Sequence, residues 1–287
     1  MIDFHIHITP PDISAGWRKY TKNEPYFSLL SSSSVNKFAC AEDVIAMLPE
    51  SSDRAVVFGF GFRDMGLCRY VNDYVIAKTR EHHDKLIGFM AVSPAGAGVE
   101  REIARCHGAG LKGVGEIFPC GQGFSLEDAG ETAAFTGACS VLGLPVLLHA
   151  NEPVGHLYSG KTDIPLKQID KFIDNDRALK IVLAHFGGGL FIYEAMPEIR
   201  EKFRNVYYDT AAAPFLYDER IYRAIKALSI TEKILFGSDF PLLTPARYLD
   251  ALDKSGMTTE EKQLIMGGNA EKLFAPAGGA VTAEHKP

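Results

Sequence analysis

Short apolar, β-rich runs alternate with longer amphipathic stretches along nearly the whole chain. The runs at 2–8, 54–60, 86–92, 110–117, 145–150, 180–185, 206–209 and 233–237 are bounded by polar or turn residues, and they predict eight strands. The stretches at 71–83, 99–108, 129–142, 166–175, 190–203 and 218–228 carry apolar residues at helical spacing. Strands that alternate with helices imply a parallel sheet with crossover connections. Eight such repeats predict a closed (β/α)8 TIM barrel, a single domain over residues 1–274, in preference to an open doubly wound sheet.

Two segments break the alternation. Residues 9–40, rich in Pro, Ser, Tyr and Phe, form a long excursion after the first strand, and a connection of that length is usually a lid or binding loop. Residues 275–287 are small, polar and Gly/Pro-bearing, and predict a flexible C-terminal tail. The last helical pieces are 259–266 and 269–274, with Asn269 placed as an N-cap for the second.

Composition narrows the role. The chain is 46% hydrophobic and 23% charged, with a net charge of −6 and no long basic run, so no nucleic-acid or membrane-surface partner is expected. No stretch is long and apolar enough to span a bilayer, and Asp3, His5 and His7 interrupt the start where a signal peptide needs an unbroken apolar region. Five scattered cysteines without a CxxC pair suit reduced thiols and a cytoplasmic setting. The expected partner is a small-molecule substrate, and a homo-oligomer is compatible with the sequence.

Chemistry in such a barrel sits at the C-terminal ends of the strands. Strand 1 supplies His5 and His7, spaced to share one face. Strand 4 ends in Glu116, strand 5 in His149, strand 6 in His185, and Asp239 follows strand 8. Nitrogen and carboxylate donors without thiolates suit Zn²⁺, with Mn²⁺, Fe²⁺ or Co²⁺ as alternatives. Asp239 reads as a ligand and proton carrier, or as a turn cap. His185 reads as a fourth imidazole ligand, or as a group beside the metal that bonds water or substrate. Glu116 is as readily a salt-bridge partner of Lys112 as a ligand. Arg63, beyond strand 2, is a candidate carboxylate clamp or a surface partner of Asp64. The loop after strand 5 offers Glu152, His156 and Tyr158 as substrate contacts. The Gly187–Gly189 run fits a turn of positive φ better than an anion cradle.

Ile-Asp-Phe-His-Ile-His at the start, His-Ala-Asn-Glu-Pro-Val-Gly-His from His149, Ala-His-Phe-Gly-Gly around His185, Phe-Gly-Ser-Asp-Phe-Pro around Asp239 and the closing Gly-Asn-Ala-Glu-Lys-Leu-Phe together resemble the amidohydrolase superfamily. The likeness is to its amidohydrolase-related branch of metal-dependent TIM-barrel hydrolases and covers residues 2–274. It implies that His5, His7, His149 and Asp239 hold one divalent metal, most readily zinc, with His185 as the catalytic histidine. Glu116 departs from the simplest mononuclear pattern and looks like the TatD-type deoxyribonuclease relatives, in which a strand-4 glutamate helps to hold a second metal. No lysine stands where a carboxylated bridging lysine would.

The implied activity is hydrolysis of an amide, lactone or other ester-like bond by a metal-activated water. Asp239 would move the proton and Asp3 would orient the imidazoles from behind. The branch also contains decarboxylases and hydratases, so a lyase acting on a carboxylated substrate is the alternative, as is a TatD-like phosphoesterase if two metals bind.

Overall fold

The computed structural model describes residues 1–275 except 35, 36, 49 and 51. Of the expected tail, residues 276–287 lie outside the described residues. Eight parallel strands pair in sequence order: β1 (Ile2–His7), β2 (Arg54–Phe58), β3 (Leu86–Met90), β4 (Gly113–Ile117), β5 (Val146–Leu148), β6 (Ile181–Leu183), β7 (Val206–Asp209) and β8 (Ile234–Leu235). The sheet closes between the ends of the chain order. A parallel bridge joins Ile6 to Phe240, and the amides of Phe4, His7 and Asp239 donate to the carbonyls of Phe236 (2.7 Å), Phe240 (2.9 Å) and His5 (2.9 Å). The predicted (β/α)8 barrel is the observed fold.

Two cores follow from the strand faces. Ile2, Phe4, Phe58, Phe89, Leu147 and Leu235 fill the barrel interior. The helix Asn269–Phe274 plugs its N-terminal end, where Phe274 stacks on Phe4 with centroids 5.7 Å apart. The opposite strand faces, with Val57, Met90, Val146 and Leu183 among them, pack under the surrounding helices. Both layers are almost wholly apolar, and their burial supplies most of the folding drive.

The helices Val99–Gly108, Ala129–Leu142, Leu166–Asn175 and Asn269–Phe274 lie where their spacing predicts. Met65–Glu81 starts six residues earlier than its apolar pattern, because the Asp64 carboxylate accepts from the Leu67 amide (2.9 Å) and nucleates the first turn. The excursion after β1 is not a structureless loop. It folds into Pro11–Ala15, a 3₁₀ turn at Trp17–Tyr20 and the helix Pro25–Ser32. Its Tyr26, Leu30 and Lys37 face the C-terminal mouth of the barrel. No described helix is long and apolar enough to cross a membrane.

Asn269 differs from its expected role. It lies inside its helix, with Gly268 as the N-cap, and is almost fully buried. Its Nδ2 donates to the carbonyls of Thr231 and Ile234, both at 2.8 Å, which pins the closing helix to the edge of β8. A buried amide bridging two carbonyls is worth more than a cap, because its loss strands both acceptors away from water. Asn269→Ala should therefore lower unfolding free energy by about 2–3 kcal/mol in urea denaturation. A loss below about 0.5 kcal/mol, the usual size for an unremarkable surface change, would show that the bridge does not anchor the plug.

Candidate metal centre

The barrel brings all six predicted donors to one place. His5 Nε2 and His7 Nε2 approach to 3.3 Å, and Glu116 Oε2 lies 3.5 and 3.4 Å from them. Asp239 Oδ1 lies 3.7 and 3.6 Å from the same two nitrogens. The other carboxylate oxygen of Glu116 faces a second pair. His149 Nδ1 lies 3.0 Å and His185 Nε2 3.7 Å from Oε1, with 3.3 Å between the two rings' nitrogens. Two triads result, His5/His7/Asp239 and Glu116/His149/His185, with Glu116 turned towards both. His149 thus groups with Glu116 and His185 rather than with His5, His7 and Asp239.

Local irregularities aim these side chains. The β1–β2 register shifts between Asp3 and Ile6, so Phe4 packs in the barrel interior, Ile6 packs outside, and His5 and His7 both reach the centre. The β4–β5 register shifts between Val114 and Ile117, which both pack in the outer core and leave Glu116 facing the imidazoles. His185 and Asp239 both take positive φ (55° and 59°), at the turns where β6 and β8 run out into their loops. Strained backbone of this kind costs about 1–3 kcal/mol per residue and collects at functional sites.

The proton inventory of the centre is informative. His5 Nδ1 lies 2.7 Å from Asp209 Oδ2, His185 Nδ1 lies 2.9 Å from the Ala211 carbonyl, and His149 Nε2 lies 3.0 Å from the Gly160 carbonyl. A carboxylate or carbonyl only accepts, so each of these outer nitrogens carries the hydrogen, and in the neutral ring each inner nitrogen presents a lone pair. Three imidazole lone pairs, a fourth available from His7 Nε2, and two carboxylates therefore converge. Acceptors packed in this way repel unless positive charge lies among them, so the donor set fits divalent cations. The spacing fits as well: donors 2.0–2.2 Å from a tetrahedral ion lie roughly 3.3–3.6 Å apart.

The charge perturbations describe the same cluster with protons in place of cations. Burial works to lower the His5 pKa, but the carboxylates of Asp209 and Glu116 outweigh it and hold the ring well above its usual value. Burial would raise Glu116, yet the surrounding imidazoles, led by His5, hold it well below the carboxylate range. His185 is pushed down, first by burial and then by His149.

The remaining candidates divide. The centre forms the floor of a cavity of about 320 Å³ whose walls include Tyr26, Phe60, Phe118, Tyr158, His156 and Phe215. Arg63 is not among the lining residues. Its Nε donates to the Gly121 carbonyl (2.7 Å), its Nη2 to that of Cys120 (3.4 Å), and its backbone amide to Glu24. Glu152 also stands off the walls, accepting from the Tyr158 hydroxyl at 3.2 Å. Lys112 lines a separate crevice into which Ile2 and the helix-plug residue Phe274 also face, so the Lys112–Glu116 salt bridge does not form. Asp3 does not orient an imidazole. The β1 irregularity turns it to the amides of Ser238 (2.9 Å) and His5 (3.3 Å), where burial raises its pKa to about 7. Gly187, Gly188 and Gly189 all have positive φ, and a Cβ on Gly188 would sit 2.3 Å from the Asn151 carbonyl, so the run serves a tight turn.

Asp209, absent from the sequence expectations, takes the orienting role. Besides His5 Nδ1, it accepts the backbone amides of His185 (2.9 Å) and Ala211 (3.0 Å), tying β7 to both triads. Its signal was a carboxylate closing the apolar run Val206–Asp209, at the same rim height as the other donors.

No curated protein matches the chain significantly. Solved structures do. The 5-carboxyvanillate decarboxylase of Sphingomonas paucimobilis superposes with a TM-score of 0.74 at 16% identity, covering 96% of this chain and 98% of that one. The same enzyme from Novosphingobium aromaticivorans, complexed with manganese and 4-hydroxy-3-methoxy-5-nitrobenzoic acid, gives 0.71 at 16% identity over 95% of each chain. A probable 2-pyrone-4,6-dicarboxylic acid hydrolase from Acinetobacter baumannii, with citric acid bound, gives 0.64 at 17% identity, covering 95% of this chain and 98% of that one. At these identities the likeness is one of fold. The family model described as Amidohydrolase matches residues 2–275, and the chain belongs to that family.

Proposed function

We propose that this protein is a hydrolase that uses two divalent cations, bridged by Glu116, to add water to an uncharged ester, lactone or amide carbonyl. The observation that carries the reading is the pair of donor triads sharing one carboxylate on the floor of an aromatic cavity. His5, His7, Asp239 and one Glu116 oxygen would hold the first ion. His149, His185 and the other Glu116 oxygen would hold the second. Manganese in the Novosphingobium neighbour supports a divalent cation, and zinc suits the same donors. Bound there, such cations supply Lewis acidity that polarises a carbonyl and makes water a nucleophile near neutral pH.

The chain's own groups do the rest. Asp239 lines the cavity and keeps part of its carboxylate open, so it can take a proton from the attacking water and return it to the departing nitrogen or oxygen. Asp209, Ala211 and Gly160 hold the imidazole tautomers. Phe60 stacks along His7 (centroids 5.1 Å) and Phe118 along His149 (4.4 Å), keeping water from the flanks of the centre.

Decarboxylation is the second reading, and the functions of two fold neighbours favour it. A carboxylated substrate would need a cationic clamp, yet among the described residues no arginine lines the cavity and Lys37 is its one lysine. That balance supports hydrolysis of a substrate without carboxylates.

Metal analysis of chelator-stripped and reloaded protein should give close to two cations per chain, falling to one or fewer in Glu116→Gln with activity down about 100-fold or more. One cation per chain in the parent, unchanged by that substitution, would reject the bridge. In a screen of lactones, amides, phosphoesters and carboxylated aromatics, turnover should incorporate solvent oxygen into a carboxylic product, and Asp239→Asn should cut it by about 10²–10⁴-fold with the fold retained by circular dichroism. Release of CO₂ without water addition would replace the hydrolase reading with the lyase, and turnover confined to phosphoesters would replace it with the phosphoesterase.

A further inference from the structure

The three held imidazoles are not held alike. His5 leans on Asp209, which belongs to strand β7, and His185 leans on Ala211, two residues beyond. His149 leans on Gly160, in the middle of the long connection between β5 and the helix Leu166–Asn175. That carbonyl also accepts from the hydroxyl of Tyr26 at 3.1 Å. Tyr26 belongs to the helix Pro25–Ser32 of the excursion after β1, so one carbonyl joins both long connections to a donor of the centre.

The surroundings single out this contact. Gly121 leaves room for the Tyr26 ring, since a Cβ there would lie 2.8 Å from it. Tyr26 then packs on Phe118 (centroids 4.8 Å), which stacks on His149. The connection around Gly160 is drawn in by Asn151, whose side chain accepts from the Thr162 amide (2.9 Å) and donates to its carbonyl (2.9 Å). Lys161 folds back onto the carbonyls of Val154 and His156. Residues 154 and 157 nevertheless present exposed apolar side chains, and the Tyr158 hydroxyl and Lys161 tie this stretch back to Glu152, so polar contacts do most of the holding.

We infer that Tyr26 is a positioning residue for the metal centre: through Gly160 it fixes the proton on His149 Nε2, so that cation binding at His149 and closure of the 151–162 connection over the cavity are one coupled event. This rests on the two-cation reading above. The linkage is reciprocal. A cation drawing on the His149 Nδ1 lone pair strengthens the Nε2–H bond to Gly160, and a closed connection favours the tautomer the cation needs. The same closure completes the aromatic wall, since Tyr158, Ser159 and Gly160 line the cavity.

Tyr26→Phe removes only the hydroxyl and keeps the ring stack on Phe118. Chelator-stripped protein titrated with Zn²⁺ or Mn²⁺ should show one of two affinities weakened about 10–100-fold in this variant, with the other unchanged. Tyr20→Phe, which removes a hydroxyl bonded to Asp12 on the exposed part of the same excursion, should leave both affinities as in the parent. Limited trypsin cleavage after Lys161 supplies a second readout: the cation should protect the parent and fail to protect Tyr26→Phe. Equal affinities and equal protection in the parent and Tyr26→Phe would overturn the coupling while leaving the metal reading intact. A parent that takes up no cation would overturn both.

Discussion

Glu116 sits buried at the end of β4 with an imidazole pair against each of its carboxylate oxygens. The rest of the upper barrel is arranged around that carboxylate. A buried charge costs several kcal/mol unless it is compensated, and here compensation comes from groups that are themselves lone-pair donors once their outer nitrogens are committed. Such an arrangement is stable as a protonated cluster or as a cation site. The raised pKa of His5 and the lowered pKa of Glu116 describe the first state, and the fixed outer hydrogens prepare the second.

Barrel closure and assembly of the centre are the same event. β8 is only two residues long, and the sheet is completed by backbone bonds from Phe4, His7 and Asp239 to residues 236, 240 and 5. These bonds set Asp239 beside His5 and His7, donors more than 230 residues away in the chain. Asp209 fastens the neighbouring edge, holding the His5 ring and the His185 amide with one carboxylate. Stability and site geometry therefore share bonds, and loss of either Asp209 or the Asn269 anchor would be felt at both ends of the barrel.

What could be read from the sequence follows from how far each feature depends on regular backbone. Eight apolar runs with intervening helical spacing were enough for the barrel, because strand and helix periods differ sharply and the alternation is regular. His5, His7, Glu116, His149, His185 and Asp239 were legible because a polar, metal-competent side chain ending an apolar run is costly without partners. The grouping of those residues was not legible. It depends on register shifts in β1 and β4, which no hydrophobic pattern encodes, and the same shift in β1 sent Asp3 to the Ser238 amide instead of to an imidazole. Asp209 was hidden because a single Asp before Thr-Ala-Ala reads as a turn residue, and Gly160 because its contribution is a carbonyl, which every residue carries. Arg63 was misplaced for a related reason: its distance from strand 2 was right for the rim, but the carbonyls of Cys120 and Gly121 lie nearer than the cavity.

The fold neighbours act on, or hold, carboxylated compounds, and the contrast with this cavity is electrostatic. A small carboxylate bound beside the carboxyl groups of Glu116 and Asp239 needs its own cations, and a guanidinium clamp supplies two parallel donors at fixed geometry. Here the basic residue at the expected position spends its donors on backbone carbonyls, and the walls are mostly rings and aliphatic carbons, with Lys37 their one described lysine. Apolar walls reward burial of an uncharged group at about 25 cal/mol per Å² and penalise an unpaired charge by far more. The two triads can offset the charge of a bound anion only at the floor. A substrate with one polar reacting group directed inward and an apolar body against Phe60, Phe118 and Phe215 satisfies both constraints at once, and the loops that carry those walls, rather than the shared barrel, set which molecules qualify.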